Sequence, residues 1–171
     1  MYAGHFGAGL AIKSRFWGAP TWALLLAAFL PDLIWIPLAT LGIESRPGDW
    51  HDDWSHSLAM VVVWATLMAL LFARGGWAVA GAMWLAVFSH FLLDLPIHPK
   101  DLALYPHSTI HLGMGLWSIG RLKYWIVELW VLLALMAVYA RGARNQRIGW
   151  PRIGGTCLLL LALQARFFLP F

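Results

Sequence analysis

Five apolar stretches follow one another along the 171-residue chain, separated by more polar segments. A helix needs about 20 mainly apolar residues to cross the hydrocarbon core of a bilayer. Each stretch approaches or exceeds that length, so the pattern predicts about five transmembrane helices. The predicted spans cover residues 17–43, 57–73, 77–95, 124–140 and 153–171.

The N-terminal stretch 1–12 is apolar and glycine-rich but too short to span. No basic residue precedes it, which argues against a cleaved signal peptide. We expect a short helix or a re-entrant segment, covered by the rest of the protein because backbone polar groups need partners at membrane depth. The sequence therefore predicts one all-α, polytopic membrane domain over residues 1–171.

Composition favours the same class. Hydrophobic residues make up 61% of the chain and charged residues 12%, against roughly 45–50% and about 25% in soluble domains. Twelve Trp fit a membrane protein, because Trp collects at membrane interfaces. The balance excludes an ordinary soluble domain, a disordered chain and a nucleic-acid module. The single Cys157 excludes an internal disulfide and a cysteine-based zinc site.

Basic residues set the expected orientation, because cytoplasmic loops carry an excess of Arg and Lys. Segment 141–152 holds four Arg and no acidic residue, so we expect it in the cytoplasm, with Lys13 and Arg15 on the same side. The 44–56 and 96–121 loops then face the extracytoplasmic side of a bacterial inner membrane.

Ionisable side chains gather at that extracytoplasmic side. All seven histidines lie outside the predicted cytoplasmic segments, and six are at or near the outer end of a span. His90 and Asp94 are four residues apart and so share one helix face. In the absence of thiolate, imidazole and carboxylate are the preferred ligands of zinc. The clustering predicts a divalent metal site, most simply zinc.

Four short motifs resemble those of small bacterial membrane-bound metal-dependent hydrolases of the YdjM/YbcI type. The stretches 94–102 and 113–117 also look like a branch of that group, so the resemblance covers about residues 1–120. It implies a metal-dependent hydrolase in the membrane. The motifs are Gly4-His5, Pro31-Asp32, Trp54-Ser55-His56-Ser57 and Ser89-His90-x-x-x-Asp94.

The order of His and Asp along the chain also resembles, more distantly, that of the zinc phospholipase C and P1 nuclease fold. Those helical enzymes hydrolyse phosphate esters with a zinc cluster. Two positions depart from their pattern: His111 stands where they have an acid, and Met1-Tyr2 replaces an N-terminal Trp ligand. We therefore expect one or two zinc ions, with three as the upper limit. The implied ligands are His5, Asp32, His56, His90, Asp94 and His98, with His51, His107 and His111 as further candidates.

These features predict hydrolysis of a phosphate ester, on a membrane lipid or a lipid-linked phosphate. Asp94 or Asp101 would act as the general base. Arg166 is a candidate for holding a substrate phosphate, although it could equally pair with Glu128 or extend to the interface. The expected partner is lipid and not nucleic acid, and the oligomeric state is left open.

Each candidate also has a purely structural interpretation. His90 and Asp94 could be a hydrogen-bonded pair that braces helices, and Asp32 could cap the helix after Pro31. Two other function classes use the same residues. One is a metal transporter or storage protein, which needs a polar path that the second span does not offer. The other is a non-catalytic structural or regulatory membrane protein, including one that binds haem.

Overall fold

The computed structural model describes residues 2–44 and 52–166. Within those residues the protein is mostly helical, with eight α-helices and one short antiparallel hairpin. The hairpin pairs β1 (Leu102–Ala103) with β2 (His111–Leu112), and 3₁₀ turns lie at Ala73–Gly75 and Leu116–Ile119. The helices are α1 (Tyr2–Lys13), α2 (Thr21–Ala28), α3 (Leu30–Thr40), α4 (Asp53–His56), α5 (Leu58–Leu71), α6 (Trp77–Ile97), α7 (Arg121–Asn145) and α8 (Trp150–Arg166).

The number of spans is smaller than the five predicted. By length and composition, α6 and α7 can cross a membrane, and the bent pair α2–α3 makes a third if it counts as one span. Helix α5 has 14 residues and α8 has 17 within the described part of the chain, short of the usual spanning length of about 20. The predicted fifth span continues into 167–171, outside the described residues. The predicted second span, 57–73, has only 17 residues, the lower limit for crossing a membrane, and the helix within it is shorter still.

The break between α2 and α3 determines the position of Asp32. Phe29 leaves helical geometry at the end of α2, and Pro31, which has no N–H to donate, is the second residue of α3. The two helices meet at a bend of 51°. Asp32 therefore lies in the first turn of α3, where the positive end of the helix dipole favours a carboxylate. No side-chain hydrogen bond caps α3, so Asp32 is not the cap considered from the sequence.

Helix α1 forms the centre of the bundle, and nine of its 12 residues are buried. It contacts α2, α6, α7 and α8. One apolar core packs α2, α5 and α6 together, and a second joins α1 to α7 and α8. The N-terminal segment is therefore a short helix covered by other protein, as its length and composition predicted.

Gly9 allows α1 to approach α2 closely. A Cβ added there would lie 3.1 Å from the Leu24 carbonyl oxygen and 3.4 Å from Ala28 Cβ. Because neither atom can move without shifting α2, we expect Gly9→Val to lower the stability by about 1–3 kcal/mol. Gly81→Val is the matched control, since a Cβ at Gly81 meets nothing within 4 Å. The measurement is thermal unfolding in detergent, and equal melting temperatures for the two variants would contradict this packing.

Candidate metal centre

Helices α1 and α6 bring the first group of metal-type ligands together. His90 and Asp94 are one turn apart on α6, with His90 Nε2 3.0 Å from Asp94 Oδ2. His5 of α1 stacks on His90 with ring centroids 3.7 Å apart, and its Nε2 lies 3.3 Å from Asp94 Oδ1. All three side chains are buried, and one ligand atom from each lies within 4.8 Å of the others.

A second group shares His90 and extends to α3 and α4. Asp32 Oδ1 lies 3.4 Å from His56 Nε2 and 3.8 Å from His90 Nε2. His56 is held from behind, since its Nδ1 lies 2.6 Å from the hydroxyl of Ser55. The Asp32 side chain is 30% exposed, so this carboxylate faces the open side of the centre. One ligand atom from each of Asp32, His56 and His90 lies within 4.8 Å of the others.

The orientation of His90 distinguishes a ligand from a bracing residue. Its Nδ1 lies 2.9 Å from the carbonyl oxygen of Ala28, and because a carbonyl only accepts, Nδ1 carries the proton. This backbone contact is typical of metal-binding histidines, and it leaves a lone pair on Nε2. That Nε2 is buried and makes no hydrogen bond within the described residues, although Asp94 Oδ2 is 3.0 Å away.

A lone pair directed at carboxylates is unfavourable, and a buried polar atom without a partner is costly. A cation among these atoms removes both penalties. Three imidazoles with two carboxylates are also a donor set that suits zinc. The described residues therefore fit a divalent metal ion, whereas a His90–Asp94 brace would need a second proton on His90, at Nε2.

The shared histidine limits how ions can be arranged. His90 Nε2 has one lone pair and can bind one ion, whereas a carboxylate can bridge two. The five side chains of the two groups could therefore hold one ion or two, and of two ions only one could bind His90.

Four of the five side chains in the ligand groups line a cleft of about 190 Å³, whereas His90 is fully buried and does not line it. Asp52 lies on the wall of this cleft and accepts a hydrogen bond from Trp35 Nε1 at 3.0 Å. The sequence analysis did not single out Asp52, which belongs to the 44–56 loop. The complete lining is Tyr2, His5, Asp32, Trp35, Asp52, His56, Asp94, His98 and Trp117.

Comparison with known protein families shows which family the chain belongs to. The model of the YdjM inner membrane protein family matches residues 3–169. The chain belongs to this family. The match includes α7 and α8, where the motifs had suggested only apolar character in common. No curated protein and no solved structure matches the chain, and the resemblance to zinc phospholipase C and P1 nuclease finds no support.

His98 lies in the same cleft of this YdjM-family protein but outside both ligand groups of the described residues. Its Nδ1 is 3.2 Å from Asp101 Oδ1, and its ring packs on Trp117 with centroids 4.4 Å apart. His98 is buried. A carboxylate on Nδ1 is found behind metal-binding histidines and behind histidines that exchange protons, so the ligand role predicted from the sequence stays a prediction.

The remaining candidates lie elsewhere in the YdjM-family chain. His107 and His111 line a separate cleft of about 270 Å³ with Asp53, and the His107 side chain is 81% exposed. Arg166 ends α8 and does not line the metal cleft. Its predicted role in phosphate binding therefore stays a prediction. His51 falls outside the described residues.

Glu44 supports the segment that carries His56. Its Oε1 accepts the backbone N–H groups of Trp54 and Ser55, both at 2.7 Å, at the start of α4. Glu44 is buried, and the loss of hydration raises the pKa of its carboxyl group. The folded state therefore retains the proton to a higher pH than the unfolded chain does.

Two variants of Glu44 separate its hydrogen bonds from its charge. Glu44→Ala leaves two buried N–H groups unpaired and is expected to cost about 1–3 kcal/mol of stability. Glu44→Gln keeps an acceptor without the charge and should match or exceed the wild type at neutral pH. Because the folded-state pKa is raised, the Glu44 contribution weakens as pH rises through it, and Glu44→Gln should lack that slope. Melting curves across pH measure both effects, and an equal loss in the two variants would contradict the account.

Proposed function

We propose that this YdjM-family protein is a metal-dependent hydrolase of phosphate esters, acting on a membrane lipid or a lipid-linked phosphate. The observation that carries the proposal is the buried His90 Nε2, which is fixed by the Ala28 carbonyl and faces Asp94 and Asp32 without a hydrogen bond. A divalent ion at such a site lowers the pKa of a bound water and offsets charge on a phosphoryl group.

His98 and Asp101 are assigned the proton transfers. In the hydrolysis, the oxygen of a water forms a bond to phosphorus while the ester P–O bond breaks and an alcohol leaves. His98 Nε2 takes the proton of the attacking water and returns it to the leaving oxygen. Asp101 accepts a hydrogen bond from His98 Nδ1–H. This holds the imidazole in the tautomer whose Nε2 is free to take a proton. From the sequence, the general base was expected to be Asp94 or Asp101. We propose His98 instead, because Asp94 belongs to a ligand group and Asp101 contacts His98 Nδ1, the ring nitrogen on the far side from Nε2.

We place the cleft on the extracytoplasmic side. Helix α1 runs from Tyr2, at the metal cleft, to Lys13. Next to that far end, Arg15 and Arg141 line a common cleft of about 150 Å³. Since Arg and Lys concentrate on the cytoplasmic side of inner membrane proteins, this arrangement supports a metal cleft that opens away from the cytoplasm.

Metal removal tests the activity directly. Untagged protein in mild detergent, loaded with zinc, is mixed with micelles of phosphatidic acid and of other phosphate-ester lipids. We expect release of phosphate or phosphorylated headgroup that falls to background with chelator and returns with zinc. His107→Ala should keep the activity, because His107 lies outside both ligand groups. Binding of zinc without hydrolysis of any ester in the panel would favour the transporter or storage alternative instead.

A further inference from the structure

A third cleft of about 390 Å³ opens between α1, α2, α7 and α8. Its walls are mainly apolar, with side chains that include Phe6, Leu10, Leu25, Tyr139, Leu159 and Leu163. Helix α7 is long and apolar enough to span a membrane, so this apolar groove lies at membrane depth. Leu159, at its rim, is 62% exposed, which leaves the groove open toward the bilayer.

One face of α1 borders both the groove and the metal cleft. Tyr2, Phe6 and Leu10 are spaced four residues apart and therefore share that face. Tyr2 lines the metal cleft, whereas Phe6 and Leu10 line the groove. The rings of Tyr2 and Phe6 both pack on Phe29, each with centroids 5.0 Å from it. The metal cleft and the groove are therefore neighbours, joined by a row of apolar side chains over about 12 Å of helix.

We propose that the apolar groove binds the acyl chain of the lipid whose phosphate occupies the metal cleft. The inference rests on the proposed function and names its substrate class, a phospholipid with a long hydrocarbon chain. A water-soluble phosphate ester makes no use of an apolar groove that begins beside the ligand groups and opens into the bilayer. A chain bonded to a phosphate at the cleft has this surface as its direct path into the membrane.

Photolabelling distinguishes a substrate chain from ordinary surrounding lipid. The zinc-loaded protein is placed in vesicles of phosphatidylethanolamine and phosphatidylglycerol that contain a phosphatidic acid probe with a diazirine near the end of one acyl chain, made as the phosphonate so that it cannot be hydrolysed to diacylglycerol. A diacylglycerol with the same diazirine chain but no phosphate serves as the control probe. We expect severalfold more labelling at Phe6, Leu159 and Leu163 with the phosphatidic acid probe, and chelator should remove the difference. Equal labelling by the two probes would overturn the inference.

A pair of adjacent substitutions tests the groove itself. Leu159→Trp fills the rim, whereas Leu158→Trp adds the same side chain at a position that is 68% exposed and does not line the groove. We expect Leu159→Trp to reduce groove labelling severalfold and to raise KM for a long-chain ester but not for a dihexanoyl ester. Leu158→Trp should change neither quantity. Identical behaviour of the two variants would contradict a chain-binding groove.

Failure of the inference and failure of the proposed function give different results. Zinc-dependent labelling in the groove without hydrolysis of any ester would refute the hydrolase and leave a lipid-binding metal site. Zinc-dependent hydrolysis with equal labelling by both probes would keep the hydrolase and refute the groove as the acyl-chain site.

Discussion

Replacing His90 and Asp94 together with alanine is expected to abolish divalent metal binding and all metal-dependent hydrolysis. His90 belongs to both ligand groups, and Asp94 supplies one of the two carboxylates. The double variant leaves no group with three ligands among the described residues. Zinc affinity, measured by competition with a chromophoric chelator, should therefore fall to background.

Thermal stability provides a second measure of the same substitution. A ligand that binds only the folded state stabilises it by about 4 kcal/mol at a free concentration of 1,000 times Kd. Wild-type protein should therefore melt at a higher temperature with zinc, and the His90→Ala/Asp94→Ala variant should not respond.

The control for this experiment removes two ligand-type side chains from a different place. His107→Ala/His111→Ala deletes two histidines that line the separate cleft beside Asp53. We expect this variant to retain the zinc affinity and the zinc-dependent rise in melting temperature. Retention of zinc in the His90→Ala/Asp94→Ala variant would instead show that the ion binds outside the two ligand groups.

Replacing His98 with asparagine is expected to separate catalysis from metal binding. Loss of a positioned general acid or base lowers rates by about 10²–10⁴-fold, so kcat should fall by that order. The zinc content should stay at the wild-type value, because His98 lies outside both ligand groups. Asp101→Asn should lower kcat less, since it removes the group that orients His98 and leaves the imidazole in place.

Metal content decides between the two roles of His98. If His98 were a ligand, its replacement would lower the zinc affinity. Mutation of a residue that only hydrogen-bonds to a ligand already lowers metal affinity by about 10–100-fold. Loss of zinc from His98→Asn would therefore restore the ligand role predicted from the sequence. Unchanged kcat in a zinc-loaded His98→Asn variant would remove His98 from the reaction altogether.

Local spacing made part of this centre predictable. His90 and Asp94 share a face of any helix, whatever the rest of the fold. The bend at Pro31 could also be foreseen, because proline lacks the N–H that a continuous helix requires. His5, Asp32 and His56 lie far apart along the chain. They stand in the YdjM-type motifs, and the family match supports that resemblance, but their role as ligands came from the zinc phospholipase C resemblance, which finds no support. The structure places all five in the two ligand groups.

The features that sequence reasoning missed depend on tertiary contacts. The pairing of β1 with β2, in the register Leu102 to Leu112, forms the hairpin that carries His107 and His111 away from the ligand groups. Asp52 reaches the cleft wall through its contact with Trp35, 17 residues away. The span count was too high because apolar stretches near the lower length limit, such as 57–73, contain helices too short to cross a membrane.

The metal content of the purified wild-type protein tests the central claim most directly. The protein is prepared without a polyhistidine tag, dialysed against zinc and then against metal-free buffer, and analysed by mass spectrometry and X-ray absorption. The account predicts about one or two zinc ions per chain, with nitrogen and oxygen ligands at about 2.0–2.2 Å and no sulfur. A chain that retains no zinc or other divalent ion after this treatment would contradict it.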